Sequence, residues 1–140
     1  MRAVVAAALR EARRVLVADG RAVLVGQDWD TFVIDSDGPA LTRAVVHARA
    51  DTVPSPRAAR RHRSLLLDAG FEDVGAQVRT TVLTDAAALP MHIGPAEAAR
   101  EAGALTAVEA SARTADQRAR ARTGRLFLAL PLFVASGTAP

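Results

Sequence analysis

Apolar positions near the start of the chain recur at steps of three and four: Val5, Ala8, Leu9, Ala12 and Leu16. That spacing makes one helical stripe, leaves Arg10, Arg13 and Arg14 largely outside it, and predicts a helix over residues 2–17. Gly20 stands where a left-handed residue would stop it. "RAVLVG", residues 21–26, is apolar at alternating and intervening positions alike. A strand of that kind is expected to be buried on both faces, as in a parallel α/β sheet.

Residues 27–38, "QDWDTFVIDSDG", read as an acidic loop with a short apolar insert. A second helix is predicted from Pro39, with proline in its first turn, and "VPSP" breaks it. A third is predicted from Pro56, with Ser55 as N-cap and Gly70 as C-terminal stop. From Phe71 a long strand follows, in which Val74, Ala76, Val78, Thr80 and Val82 alternate with mostly polar neighbours. Residues 86–122 are Ala-rich and predict two helices, broken near Pro90 and Gly103. "GRLFLALPLFVAS" closes the chain as a strand apolar on both faces. The predicted order is α-β-α-α-β-α-α-β, with no internal repeat and no domain boundary over residues 1–140.

Composition changes this picture little. A chain of 140 residues, half of them hydrophobic, suffices for one modest domain. There is no cysteine, which excludes disulfides and thiolate metal sites. All 18 basic residues are Arg, and the net charge is only +3. The longest apolar run, "LFLALPLFVA", has ten residues and contains Pro131, whereas a membrane helix needs about 20. "AVVAAAL" near the start is followed at once by charged residues, unlike a secretory signal. The chain reads as soluble and cytoplasmic, with no membrane partner.

"ALREARRVLVADGRAVLV", residues 8–25, resembles the helix-to-strand step of class I S-adenosylmethionine-dependent methyltransferases. In that family a helix ending in "RVL" leads through a glycine-containing turn into the fifth strand. "LLLDAGFEDV", Leu65 to Val74, resembles the family's step into its sixth strand, and "TGRLFLALPLFVASG", Thr123 to Gly137, its last. The resemblance implies an α/β, partial Rossmann-like fold: a three-stranded remnant of the sheet (fifth, sixth and seventh strands) with flanking helices. It implies a parent enzyme that moves a methyl group from S-adenosylmethionine to a small-molecule acceptor. It covers the whole chain but only the C-terminal half of the family's domain. The family's cofactor site uses a glycine-rich turn after the first strand, an acid ending the second, and residues near the third and fourth. The glycines here, at 20, 26, 38, 70, 75, 94, 103, 124 and 137, form no G-x-G-x-x-G pattern. No residue of this chain therefore carries over as a cofactor ligand, and the glycine loop is expected upstream of Met1.

The resemblance sets the strand at 21–26 between an absent fourth strand and the final strand. Val23, Leu24 and Val25 would then form an apolar edge of the kind soluble proteins protect. The expectation is a chain that, alone, dimerises, aggregates or stays molten, or that pairs with an N-terminal-half partner. The alternative is a non-catalytic interaction module that uses the same open edge.

Ligands of open α/β sheets bind beyond the carboxyl ends of the strands. Gln27, Asp28, Trp29 and Asp30 follow the first strand and are candidates to line an acceptor pocket, Trp29 by stacking and a carboxylate by orienting a polar group. The alternative is a solvated loop with one packed tryptophan. Asp35 and Asp37 lie nearby, but Val33 breaks any calcium-loop pattern. Arg57, Arg60, Arg61, His62 and Arg63, and separately Arg113, Arg118, Arg120, Arg122 and Arg125, read as solvated helix faces rather than nucleic-acid surfaces, because no aromatic interleaves the first run. His47, His62 and His92 show no metal spacing. His92, in the "LPMHIG" turn, either reaches an acceptor pocket or is an ordinary loop histidine. Ser136 lies outside any nucleophile elbow. Methyl transfer is largely a matter of positioning donor and acceptor, so it leaves little acid–base signature.

Overall fold

The most apolar segment of the chain becomes the strand with which every other strand pairs. The computed structural model describes residues 2–140, with side chains from Val4 onward. In order come α1 (Arg2–Val15), β1 (Arg21–Gln27), β2 (Val33–Ile34), α2 (Pro39–Asp51), α3 (His62–Asp68), β3 (Glu72–Leu83), α4 (Leu89–Glu101), α5 (Ala107–Arg122) and β4 (Leu128–Thr138). Short 3-10 turns occupy Trp29–Thr31, Ala58–Arg61 and Ala86–Ala88. The fold is α/β, with an open antiparallel sheet of four strands and five helices. No described helix is long and apolar enough to cross a membrane.

The sheet corrects the expectation of a parallel arrangement. β1 runs antiparallel to β4 from Arg21↔Thr138 to Gln27↔Leu132. β2 runs antiparallel to it through Val33↔Ala129 and Ile34↔Leu128. Residues 28–32 separate the two registers on one side and residues 130–131 on the other. Pro131, which has no N–H to give to a ladder, falls in that interruption. β3 also pairs with β4. Nor is β1 buried on both faces: Val23 and Val25 are 55% and 59% exposed, while Ala22 and Leu24 pack inward. The reason is that helices cover only the Ala22–Leu24 face. Among the described residues β1 pairs with no strand but β4, so it is an edge strand.

Contacts group the chain into two units. The first contains the chain as far as Asp28, residues 57–79 and Leu132–Pro140. Its core is Leu9, Leu65, Leu66, Phe71 and Ala135, joined by Val5, Leu16, Leu24 and Val74. The α1 stripe thus does what its periodicity predicts, except that Ala8 stays exposed. Burying Leu66 completely contributes about 1.5–3 kcal/mol. α1 ends two residues earlier than predicted, and the left-handed residue is Asp19 (φ 62°), not Gly20. Gly20 is required for another reason: a Cβ there would lie 2.7 Å from the Val17 carbonyl oxygen. Ser55 does not cap the third helix; its φ is 58°, and α3 starts only at His62, after the 3-10 turn. Gly70, at φ 82°, stops α3 as predicted, and its N–H donates to the Leu67 carbonyl.

The second unit contains Trp29–Pro56 and Thr80–Pro131. Val45 of α2 meets Ala96 and Ala99 of α4, Leu105, and Ala110 of α5 in one cluster. Ile34, Val46 and Leu128 form another, with Phe32, Leu83 and Leu130 against it. Alanines at the helix contacts let the backbones come close. Pro39 opens α2 as predicted, and Gly103, at φ 75°, separates α4 from α5. Pro90 does not break a helix; it sits in the first turn of α4, where its missing N–H costs nothing. α5 begins with a capping box: the Glu109 N–H donates to Thr106 Oγ1 (3.2 Å) and the Thr106 N–H donates to the Glu109 carboxylate (2.8 Å).

Candidate functional site

β1 ends in Gly26 and Gln27, with Asp28 next, and Gly26 explains how a helix reaches the strand end. A Cβ at Gly26 would lie 2.6 Å from His62 Cε1 and 3.3 Å from the Ala59 Cβ. Glycine therefore lets the 3-10 turn and the start of α3 close onto β1. Asp28 is fully buried, and its two carboxylate oxygens accept from the Arg60 guanidinium, Nη2 at 3.1 Å and Nε on the other oxygen. This two-point geometry fixes both groups. Arg60 is half exposed, so its charge stays partly hydrated while the carboxylate does not. Gln27 Nε2 and His62 Nδ1 are buried with no hydrogen-bond partner. Burial holds the His62 pKa below its ordinary value, which keeps the ring neutral at pH 7.

Beside this strand end, still within the first unit, a cavity of about 310 Å³ opens between the Ala58–Arg61 turn, α3, β3 and β4. Its floor includes Ala76, Val78 and Phe133, and its rim Arg60, His62 and Arg63. The basic run 57–63 is thus no continuous solvated helix face. Arg60 lies in the 3-10 turn and is tied to Asp28, and His62 is drawn inward. The aromatic that the run lacks in sequence is supplied in space by Phe133.

Trp29, Asp30 and His92 belong to the second unit. The Trp29 ring lies 5.6 Å from Phe32, tilted by 43°, and the Arg49 guanidinium sits 5.0 Å from its centroid. Its backbone N–H donates to the Pro56 carbonyl. Asp30 is half-buried in the same 3-10 turn. His92 is not a loop histidine: it lies within α4 and is fully buried. Its Nδ1 is 2.7 Å from Gln117 Oε1. The Gln117 amide nitrogen donates to the Asp35 carbonyl and the Asp116 carboxylate, so its oxygen must face His92. His92 accordingly carries its proton on Nδ1, and Nε2 is buried without a partner. Burial lowers the His92 pKa; the Gln117 bond opposes this and the nearby Arg113 charge reinforces it. His47 is exposed on α2.

The second basic run is also reassigned. Arg113 is buried, with its side chain 1% exposed, and Arg120 gathers Asp35 (2.5 Å), Asp37 (2.7 Å) and Asp116 (3.0 Å). Arg118 and Arg122 remain exposed. The aspartates at 35 and 37 therefore serve α5. Sequence offered no signal for this, since the partners are 85 and 83 positions apart.

A nucleotide-type cofactor needs glycines whose missing Cβ leaves room for it. Gly20, Gly26 and Gly137 do have close neighbours, but these are Val17, His62 and Phe71 of the chain itself. Gly75, Gly94, Gly103 and Gly124 face nothing within 4 Å. Among the described residues, the turns from β2 into α2 (35–38) and from β3 into α4 (84–88) hold a single glycine, Gly38.

This architecture defines an α/β chain with a half-covered sheet and a small basic-rimmed cavity. No protein-family model matches it. Over 133 residues it is 38% identical to an uncharacterized 37.1 kDa protein in transposon TN4556 of Streptomyces fradiae. The match takes in 92% of this chain but only 37% of that protein.

Proposed function

We propose that this chain is the C-terminal half of a methyltransferase domain that uses S-adenosylmethionine and a small-molecule acceptor, with the cofactor held by residues outside it. The observation that carries this reading is the position of β1. Its strand neighbour is the final strand, β4, and its other edge is open with Val23 and Val25 exposed, where the resemblance sets the fourth strand. The relative, of which this chain spans 37%, supports a longer parent. In this reading Gln27 and Asp28, at the end of β1, belong to the acceptor side. The chain works in the cytoplasm and does not turn over alone.

A second reading rests on the same exposed edge: a non-catalytic module that pairs with itself or with a partner through β1. The test is to isolate the protein as its native organism makes it, weigh it, and measure binding of labelled S-adenosylmethionine beside the 140-residue chain. A product well above 14.7 kDa that binds the cofactor, with no binding by the short chain, is the expected result. A longer product that ignores the cofactor refutes the methyltransferase reading. A 14.7 kDa product that forms stable dimers establishes the second.

A further inference from the structure

We infer that the cavity of about 310 Å³ beside the end of β1 binds a small flat apolar acid, a single ring bearing a carboxylate. The size sits at the low end of the range for small-molecule sites, roughly 300–1,000 Å³. The floor fits a ring: Ala76 and Val78 of β3 and Phe133 of β4 offer apolar contact, and Val78 is 52% exposed. The rim fits an acid. Arg60 already answers the buried Asp28 carboxylate, so the positive charge still unmatched is Arg63, which is exposed and enters no hydrogen bond or ion pair among the described residues. His62 adds a buried Nδ1 with no partner. Its ring, held neutral by burial, spares the site a second buried charge. One free guanidinium over an apolar floor matches a monoanion with a hydrophobic body. A phosphate or a nucleic-acid backbone would call for several cations and little apolar surface. The inference concerns binding by these residues and does not depend on methyl transfer.

The experiment uses the 140-residue chain with benzoate and its neutral isostere benzamide, followed by ligand-observed NMR and calorimetry. Saturable benzoate binding, at least tenfold tighter than benzamide, is expected. Arg63→Glu, a change at an exposed position, should weaken benzoate at least tenfold and leave the urea midpoint unchanged. Ala76→Phe should fill the floor and abolish binding of both probes. Equal affinity for the two probes, no saturable binding, or an unaffected Arg63→Glu variant overturns the inference, and the Arg63→Glu arm stands even if Ala76→Phe fails to fold.

Discussion

Replacing Arg113 by Met should make the protein more stable. The Arg113 side chain is 1% exposed, and none of its three guanidinium nitrogens has a hydrogen-bond partner. Its nearest carboxylate oxygen, on Asp116, is 4.0 Å away. Two unit charges at that separation attract by about 4 kcal/mol at an effective dielectric of 20. Against this stands a desolvation penalty of several kcal/mol for the guanidinium, which its unmet hydrogen-bond donors leave uncompensated. The same burial pulls the Arg113 pKa below its ordinary value. Asp116 does not depend on Arg113, because it also accepts from Arg120 Nε at 3.0 Å and Gln117 Nε2 at 2.8 Å. Methionine keeps most of the length and packs as an apolar chain. The net gain should be about 1–4 kcal/mol, or roughly 3–12 °C in melting temperature for a domain of this size. Urea unfolding followed by circular dichroism measures it, with an unchanged m-value as the check that only stability has moved. A loss of 1 kcal/mol or more in Arg113→Met would refute the reasoning, since it would mean that the guanidinium is well satisfied.

Three further outcomes are expected. His62 and His92 both titrate below their ordinary 6.5 because burial disfavours the imidazolium; the unfolded chain then takes up protons first, so stability is complete above pH 6.5 and falls on acidification toward the folded-state pKa values. Urea midpoints at pH 8 and 5.5 test this, and replacing both histidines by Gln should flatten that part of the profile. Leu66→Ala removes a fully buried side chain from the first unit's core and should cost about 2–5 kcal/mol by the same unfolding assay. Gly26→Ala puts a Cβ 2.6 Å from His62 Cε1, which should cost about 1–3 kcal/mol and shift the His62 ring resonances; an unperturbed His62 spectrum would contradict the contact.

The sequence alone determined the features that arise within one or two turns of chain. The α1 stripe of Val5, Leu9 and Leu16, Pro39 in the first turn of α2, and the left-handed glycines at 70 and 103 are local. Each follows from backbone preference or from the period of the apolar residues. Local reasoning went astray where two residue types can serve one purpose, as when Asp19 and not Gly20 takes the left-handed position. Tertiary structure decided what depends on segments far apart in the chain. A strand such as "RAVLV" carries apolar residues on both faces whether helices cover one face or two, so only packing reveals that Val23 and Val25 are exposed. Strand direction is likewise set by how β4 returns, and β4 meets β1 more than a hundred residues later. Of the residues that sequence picks out at the end of β1, neither Gln27 nor Asp28 lines the cavity; Asp28 meets it only through its partner Arg60. Arg60, His62 and Phe133 did not stand out, because in sequence an arginine that will meet a buried carboxylate looks like one that will meet water. That choice is made by desolvation, and desolvation exists only once distant segments close around the charge.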